Sequence, residues 1–552
     1  MKKITGRSAF LSILKSEGVT HLFGNPGTTE LPIMHALKDY PDIKYILGLQ
    51  ESIVVAMADG YSRATGKLSA CNVHVAPGLG NAMGAIYNAK FVGSPIIITA
   101  GQQEQGHGLM EPMLYGPLVR MAEPLVKWAT EVTRLEDLPR IMRRSAKIAL
   151  SPPTGPVFIS LPGDILNTEA NIDLGKPIRV IDTFRPSHSS IELIAKQINK
   201  YKKPVIVVGH EVATYDAFKE ITLFAELSGS AVYQQTVPHG SHFPSEHIAF
   251  MGALPRLQNP TRKILENYDL LICVGCDGLR MSVWNDTEPL PSKMPIIHIG
   301  INEWEIGKNY YTETAIIGNV KNTLCDINQY LQNTLTAKKI IKAKTNLEHI
   351  AKNNWTIKKK KLTTKTLSDK SKIPITANWL MMNLANNISK NNIVVEEGLV
   401  STRSLLNYLP YKNNKDFYGL ASGGIGWAVS GAIGVSLANP NKTIIAIIGD
   451  GSSMYGIQSL WSAAHYKLPI IYIIANNQSY RIIKERLEAF HKNTNFVGMD
   501  FDKPKIDFLK LANSLGIKSE TIDKPKTLDT VFKRVFKYKK PYLLNVMVDK
   551  GY

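Results

Sequence analysis

The sequence predicts an α/β protein built as three parallel-sheet domains, and three observations carry that prediction. Short apolar, β-branched runs alternate with longer amphipathic stretches along the whole chain, which is the pattern of βαβ units. The runs fall into three sets separated by polar segments. At 552 residues the chain also exceeds what one hydrophobic core supports.

The first set holds KYILGL (44–49), LSACNVHV (68–75), PIIITAG (95–101) and PVFISLP (156–162). Before it, MKKITGRSAFLSILKSEG reads as an amphipathic helix, because Lys15 and Glu17 interrupt the apolar stretch before a secretory core can form. TEANIDLGKPIRVIDTFRPSHSS (168–190) is polar and aperiodic and reads as a linker. PVIVVGH (204–210), LLICVGC (270–276) and PIIHIGI (295–301) form the second set. A lysine-rich segment, predicted to be exposed and partly helical, leads to the third, with IVVEEG (393–398), TIIAIIGDG (443–451), PIIYIIANN (469–477) and YLLNVMVD (542–549). The expected domains are 1–182, 183–336 and 373–552, with a connector over 337–372.

Composition narrows the function classes. Hydrophobic residues at 44% and charged residues at 20% are ordinary for a globular chain, and no apolar run reaches the roughly 18 residues of a membrane helix. Four cysteines, Cys71, Cys273, Cys276 and Cys325, are too few for a disulfide scaffold, which leads to the expectation of a reducing cytoplasm. Cys273 and Cys276 form a CxxC inside a strand with no second ligand pair, so buried thiols are expected rather than zinc. The net charge of +19 is spread along the chain without a nucleic-acid-binding motif, so neither nucleic acid nor membrane is expected as a partner.

Chemistry concentrates in two places. Gly449-Asp450-Gly451 and Asn476-Asn477 end consecutive predicted strands, and a right-handed crossover brings such ends to one crevice. Asp450 offers a carboxylate oxygen and Asn477 an amide oxygen to a hard cation, while the glycines let the backbone approach phosphates and Ser452 lies in the following turn. Each motif alone reads as a turn; the pair, 27 positions apart from Asp450 to Asn477, resembles the thiamin-diphosphate-binding motif. That resemblance adds the carbonyl of Ser479 to a Mg²⁺ shell of Asp450 and Asn477, and Tyr480 to the cofactor site.

The first domain extends the resemblance. LFGNPGTTELP (22–32), LQESIVVAMADGYSRATGK (49–67), NVHVAPGLGNAMGAIYNA (72–89) and SPIIITAGQQ (94–103) resemble the pyrimidine-binding domain of benzoylformate decarboxylases, within the superfamily of thiamin-diphosphate-dependent 2-oxo acid decarboxylases and acetolactate synthases. The resemblance spans essentially the whole chain and implies Rossmann-like pyrimidine-binding, middle and diphosphate-binding domains. It makes Glu51 the partner of the aminopyrimidine, His74 a proton-transfer residue and Thr28 a substrate-binding residue, with Asn25, Pro26 and Gly27 beside them. From the third domain it assigns Leu399, Gly423 and Ile425 to the cofactor, Ile425 as the wedge under its bend.

Met113, Leu114, Ile482 and Ile483 are expected to line an apolar substrate pocket with Ser282, which stands where the family has a second catalytic histidine. His107 is a candidate substitute, and Arg481 suggests a charged group nearby. The implied activity is decarboxylation of a 2-oxo acid to an aldehyde and CO₂, by a dimer at least and a homotetramer by family habit. The alternative is an acetolactate-synthase-like carboligase; FAD is not expected, because the middle domain lacks that family's signature.

Overall fold

The computed structural model describes residues 2–282 and 284–551. Three six-stranded, wholly parallel sheets carry the chain, as the three sets of apolar runs predict. The first contains β1 (His21–Gly24), β2 (Lys44–Leu47), β3 (Ser69–Val73), β4 (Ile96–Gln102), β5 (Ala129–Glu131) and β6 (Val157–Pro162), in the order β2-β1-β3-β4-β6-β5. The second has β7 (Pro204–Val208), β8 (Ala231–Gln234), β9 (Phe250–Ala253), β10 (Leu270–Val274), β11 (Ile296–Gly300) and β12 (Thr314–Ile317), in the order β9-β8-β7-β10-β11-β12. The third has β13 (Asn392–Glu397), β14 (Phe417–Gly419), β15 (Thr443–Gly449), β16 (Ile470–Asn476), β17 (Lys518–Ile522) and β18 (Tyr542–Met547), in the order β14-β13-β15-β16-β18-β17.

The two outer sheets therefore share one topology, and only the middle sheet has the symmetric doubly wound order of dinucleotide-binding folds. In each, the inner strands are buried on both faces, which explains why they read as continuous Val and Ile runs instead of alternating. The predicted N-terminal helix forms only over Gly6–Ser16, with Thr5 accepting the Ser8 N–H at its start and Phe10, Leu11 and Leu14 in the core. Lys2–Thr5 is instead a strand paired antiparallel with Glu169–Ile172, inside the stretch read as a linker, a pairing between segments too distant in the chain to show in local pattern. The lysine-rich connector forms helices at Ala337–Ala351 and Trp355–Thr366, and Leu347 and Trp355 complete the apolar core of the middle sheet. Cys71, Cys273 and Cys276 are buried and all four thiols are free. Among the described residues no helix is long and apolar enough to cross a membrane.

The outer domains are joined by an unusually close helix crossing. α1 (Glu51–Thr65) follows β2, α2 (Val75–Val92) follows β3, and α3 (Trp427–Ala438) follows β14. α1 and α3 run antiparallel with glycine against glycine: a Cβ on Gly60 would lie 2.2 Å from the Gly431 carbonyl oxygen, and one on Gly434 2.0 Å from that of Met57. Buried Asp59 accepts from Trp427 Nε1 (2.6 Å) and Asn88 Nδ2 (3.4 Å), and Arg63 stacks over the Trp427 ring at 4.3 Å. Any side chain at these glycines forces the helices apart. Gly434→Ala is expected to cost about 1–3 kcal/mol or more, read in calorimetry as a lower denaturation temperature than that of Gly80→Ala, a position where a Cβ meets nothing.

Candidate active site

The third sheet reverses its winding between β13 and β15, and the crevice beyond those carboxyl ends is where an open parallel sheet takes a ligand. Gly449 ends β15, Asp450 opens a single helical turn that holds Gly451 and Ser452, and Asn477 follows the adjacent β16. Gln478 adopts a φ of 58°, which aims its N–H at Asp450 Oδ2, while Asp450 Oδ1 accepts from Gly451 N at 2.9 Å. Burial pushes the Asp450 carboxyl up to about 6, and no cationic side chain pairs with it among the described residues. Asn477 is buried beside it, its Oδ1 accepting from Ser479 N at 3.0 Å and its Nδ2 donating to Ser401 Oγ at 3.2 Å. Tyr480 lies against Gly451, where a Cβ would come within 2.7 Å of the ring. Leu399 follows β13 with a φ of 46°, Gly423 faces open space, and Ile425 is 37% exposed.

The first sheet reverses between β1 and β3, and here the predicted residues converge on a carboxylate that sequence reasoning missed. Glu30 is fully buried and accepts N–H bonds from Gly27 (2.9 Å) and Gly101 (2.8 Å), the Thr29 hydroxyl (2.8 Å), and His74 Nδ1 (2.8 Å). A carboxylate at Nδ1 selects the tautomer that leaves Nε2 as the proton acceptor. Gly27 is required for the approach, since a Cβ there would fall within 2.3 Å of the His74 ring. The only sequence signal for Glu30 was its place in NPGTTE, after a strand. Thr28 and His107 line one cavity of about 500 Å³ with Thr29, Gln102 and Gln103; Asn25 and Pro26 precede Gly27 in the loop after β1 and do not line it.

Glu51 begins α1, but it does not cap that helix. Gln50 does so, its Oε1 accepting from Ser52 N (2.7 Å) and Ile53 N (3.3 Å). The Glu51 carboxylate, 7% exposed, turns instead to α2, where Oε2 accepts from Asn81 Nδ2 at 3.1 Å and Oε1 lies against Gly78.

One chain does not bring these halves together. Because α1 and α3 are antiparallel, Glu51 stands roughly 12 Å along α1 from Asp59, which meets Trp427, while Gly424 packs against Gly84 of α2. Leu47, just before Glu51, donates its N–H to Tyr466 Oη at 2.7 Å, and Tyr466 precedes β16, at the end of that strand opposite Asn477. The Glu51 half thus abuts the wrong end of its own third sheet. Both halves are ringed by exposed apolar side chains: Leu49, Leu109, Met110 and 85%-exposed Met113 on one, and Met454, Tyr455, Tyr480 and Ile483 on the other.

Leu114, with a φ of 73°, sits beside Met113 in the first half, while Ile482 and Ile483 start the helix α4 (Arg481–His491) in the third. Ser282 is exposed and hydrogen-bonded through its N–H to the Arg256 carbonyl at 3.1 Å. The charged group that Arg481 suggested nearby is supplied by the chain itself: it pairs with Asp549 (2.8 Å) and, one turn along its helix, Glu485 (3.2 Å). A further cavity, about 560 Å³, lies where the three domains meet and is lined by none of the predicted site residues.

Three family models match the chain in succession: thiamine pyrophosphate enzyme N-terminal TPP binding domain over 4–113, central domain over 191–327, and C-terminal TPP binding domain over 401–546. The chain belongs to the thiamine pyrophosphate enzymes. It is 29% identical to the benzoylformate decarboxylase of Pseudomonas aeruginosa, over 98% of each chain. It is 27% identical to the acetolactate synthase large subunit of Haemophilus influenzae, over 100% of this chain and 96% of the other. The thiamine diphosphate-dependent 4-hydroxybenzoylformate decarboxylase of Rhodococcus jostii superposes with a TM-score of 0.87 at 28% identity, covering 99% of both chains. Benzoylformate decarboxylase of Polynucleobacter necessarius superposes equally, at 27% identity and the same coverage.

The residues present fit the family's cofactor. Asp450 is a buried carboxylate lacking a counter-charge, Asn477 and the Ser479 backbone supply further oxygens, and the open space at Gly423 leaves room above Ile425. Such an all-oxygen set suits a hard divalent cation holding a diphosphate. Asp450→Ala is expected to weaken retention of thiamin diphosphate by more than about 100-fold, measured by titrating the apoprotein with cofactor and Mg²⁺; retention equal to the unaltered protein would exclude Asp450 from the site.

Proposed function

We propose that the protein is a thiamin-diphosphate- and Mg²⁺-dependent decarboxylase of 2-oxo acids that works as an assembly of at least two copies, each active site using Glu51, His74 and Thr28 of one copy and Asp450, Asn477 and Ser479 of another. The observation that carries this reading is the Glu30-oriented His74 at the first sheet's switch point. When bound, the cofactor supplies a nucleophilic carbon and an electron sink for loss of the carboxylate. Glu51 exchanges a proton with the cofactor ring from a poorly solvated position. His74 takes and returns a proton at Nε2, held in orientation by Glu30. Thr28, uncharged, receives the substrate carboxylate without stabilising it so strongly that its departure is opposed. Ile425, 37% exposed, would supply an apolar surface to the cofactor, and the two apolar rims would exclude water once joined.

The middle domain supports the expectation that FAD is not used. At its switch point, between β7 and β10, buried Glu211 accepts from Ile301 N (2.8 Å) and Asn302 N (3.3 Å), so a carboxylate occupies the place where a dinucleotide's diphosphate would need donors. Carboligation is the second reading, and Ser282 favours it. A serine does not deliver a proton at neutral pH as a histidine does, and a slowly protonated fragment is open to capture by another carbonyl compound. Aldehyde and CO₂ from aryl, branched or short 2-oxo acids mark the lyase, and coupled products without free aldehyde mark the ligase.

Glu51→Gln is expected to keep thiamin diphosphate bound and to lower turnover by about 10²–10⁴-fold, followed as CO₂ release beside a cofactor titration. Co-refolding Glu51→Gln with Asp450→Ala chains tests the sharing. Random pairing leaves one intact site in half of the dimers, so activity returns to about a quarter of the unaltered level; no recovery above the separate variants would mean that the halves are not shared between copies.

A further inference from the structure

The seam between the middle and third domains carries three arginines, Arg256, Arg403 and Arg486, of which only Arg403 forms an ion pair with a carboxylate among the described residues. Arg256 follows β9, and its carbonyl holds the N–H of Ser282, which fixes it at the predicted substrate side of the crevice. Its guanidinium lies in the field of Glu396, Arg403 and Arg486, which belong respectively to the end of β13, the turn after it and α4. These are the elements that also carry Leu399, Ile482 and Ile483.

The nearby carboxylates are already engaged. Glu396 accepts from Gly398 N at 2.9 Å and from the Thr402 hydroxyl, and Glu485 pairs with both Arg403 (3.2 Å) and Arg481 (3.2 Å). Arg256 makes no side-chain hydrogen bond or ion pair among the described residues, and although its surface is solvent-accessible its guanidinium sits among protein atoms that partly desolvate it. An arginine fork without a partner, beside a substrate crevice and flanked by two more arginines, is a receptor for an anion. The carboxylate that leaves as CO₂ is a poor occupant, because a guanidinium would stabilise it before the reaction and oppose its loss. An anionic group that the substrate keeps throughout has no such conflict.

We propose that Arg256 binds a second, retained anionic group of the substrate, so that the preferred substrate is a 2-oxo acid with a carboxylate, sulfonate or phosphonate at its distal end. This rests on the decarboxylase reading above. Arg486 adds to the field from α4, and Arg403 contributes less because Glu485 holds it. Met113, Leu114, Ile482 and Ile483 then enclose the carbon chain between the two charged ends.

The test uses holoenzyme with thiamin diphosphate and Mg²⁺, and pairs of 2-oxo acids alike except at the distal end, carboxylate against carboxamide, with distal sulfonates and phosphonates separating the anion types. The unaltered enzyme is expected to favour a charged member by about 100-fold in kcat/KM. Arg256→Met, which keeps the apolar stem, erases that preference through KM while leaving the uncharged substrates within about threefold, and Arg256→Lys restores part of it. In calorimetry, a saturated dicarboxylate lacking the oxo group binds the unaltered holoenzyme and not Arg256→Met. Release of CO₂ with no preference for charge, or an equal loss for every substrate in Arg256→Met at unchanged melting temperature, overturns the assignment of Arg256 and leaves the decarboxylase reading standing. Absence of CO₂ from every 2-oxo acid overturns both.

Discussion

The glycine-to-glycine crossing of α1 and α3 is the constraint on which the rest of the architecture depends. Backbone approaching backbone at Gly60, Gly431 and Gly434 leaves a single way to dock the first and third domains, and the buried Asp59–Trp427 bond and the Arg63 stack fix the rotation. Because the helices are antiparallel, the carboxyl ends of the two outer sheets are carried apart. Glu51 faces the Tyr466 end of the third sheet, and Asp450 is left without a counter-charge at the other. A chain so clamped cannot complete a site by closing its own domains. The exposed apolar rims around each half have the composition of surfaces that are covered by another protein surface.

Within that frame, four buried carboxylates are given different work by their neighbours. Glu30 is saturated by donors and acts as an orienting anion for His74. Glu51 has a single amide donor and one oxygen free against Gly78, which leaves it able to take a partner from outside. Asp450 accepts two backbone N–H groups yet lacks a cation, and Glu397 accepts from Gly426 N (2.6 Å) and Ala428 N (2.7 Å) to close the start of α3. Burial pushes Asp450 up to about 6 and Glu397 up to about 8. Both are raised by burial, and they differ in that Glu397 is taken up by the N–H groups at the start of α3.

Much of this was legible in the sequence, because it is written in local signals. Continuous Val and Ile runs announce strands buried on both faces, and the glycine and asparagine pairs after two of them announce loops at one crevice. What was not legible depends on residues distant in the chain. Glu30 and His74 are 44 positions apart and Arg481 and Asp549 are 68 apart, so an acid in one loop and a base after another strand carry no mutual signal until the sheet order is known. Arg481 pointed to a charged group nearby, but that the group is Asp549 and Glu485 could not be read for that reason, while Arg256, lying in an unremarkable turn, escaped notice. Glu51 was ambiguous for a different cause: a helix-capping acid and a solvent-shielded acid look alike until Gln50 is seen to do the capping.

The middle domain shows how one topology is turned to another use. Its strand order is that of dinucleotide-binding sheets, yet the switch point is filled from within: Glu211 takes the N–H groups of β11's trailing loop, and Gly275, with a φ of 57°, is packed so closely on Glu211 that a Cβ would come within 2.6 Å. The crevice is thus closed by the chain's own hydrogen bonds. The neighbouring loops can then project side chains outward across the seam, which is where Arg256 and Ser282 stand. On the proposed function, chemistry belongs to the switch points of the outer sheets and selectivity to the wall that the inner one presents to them.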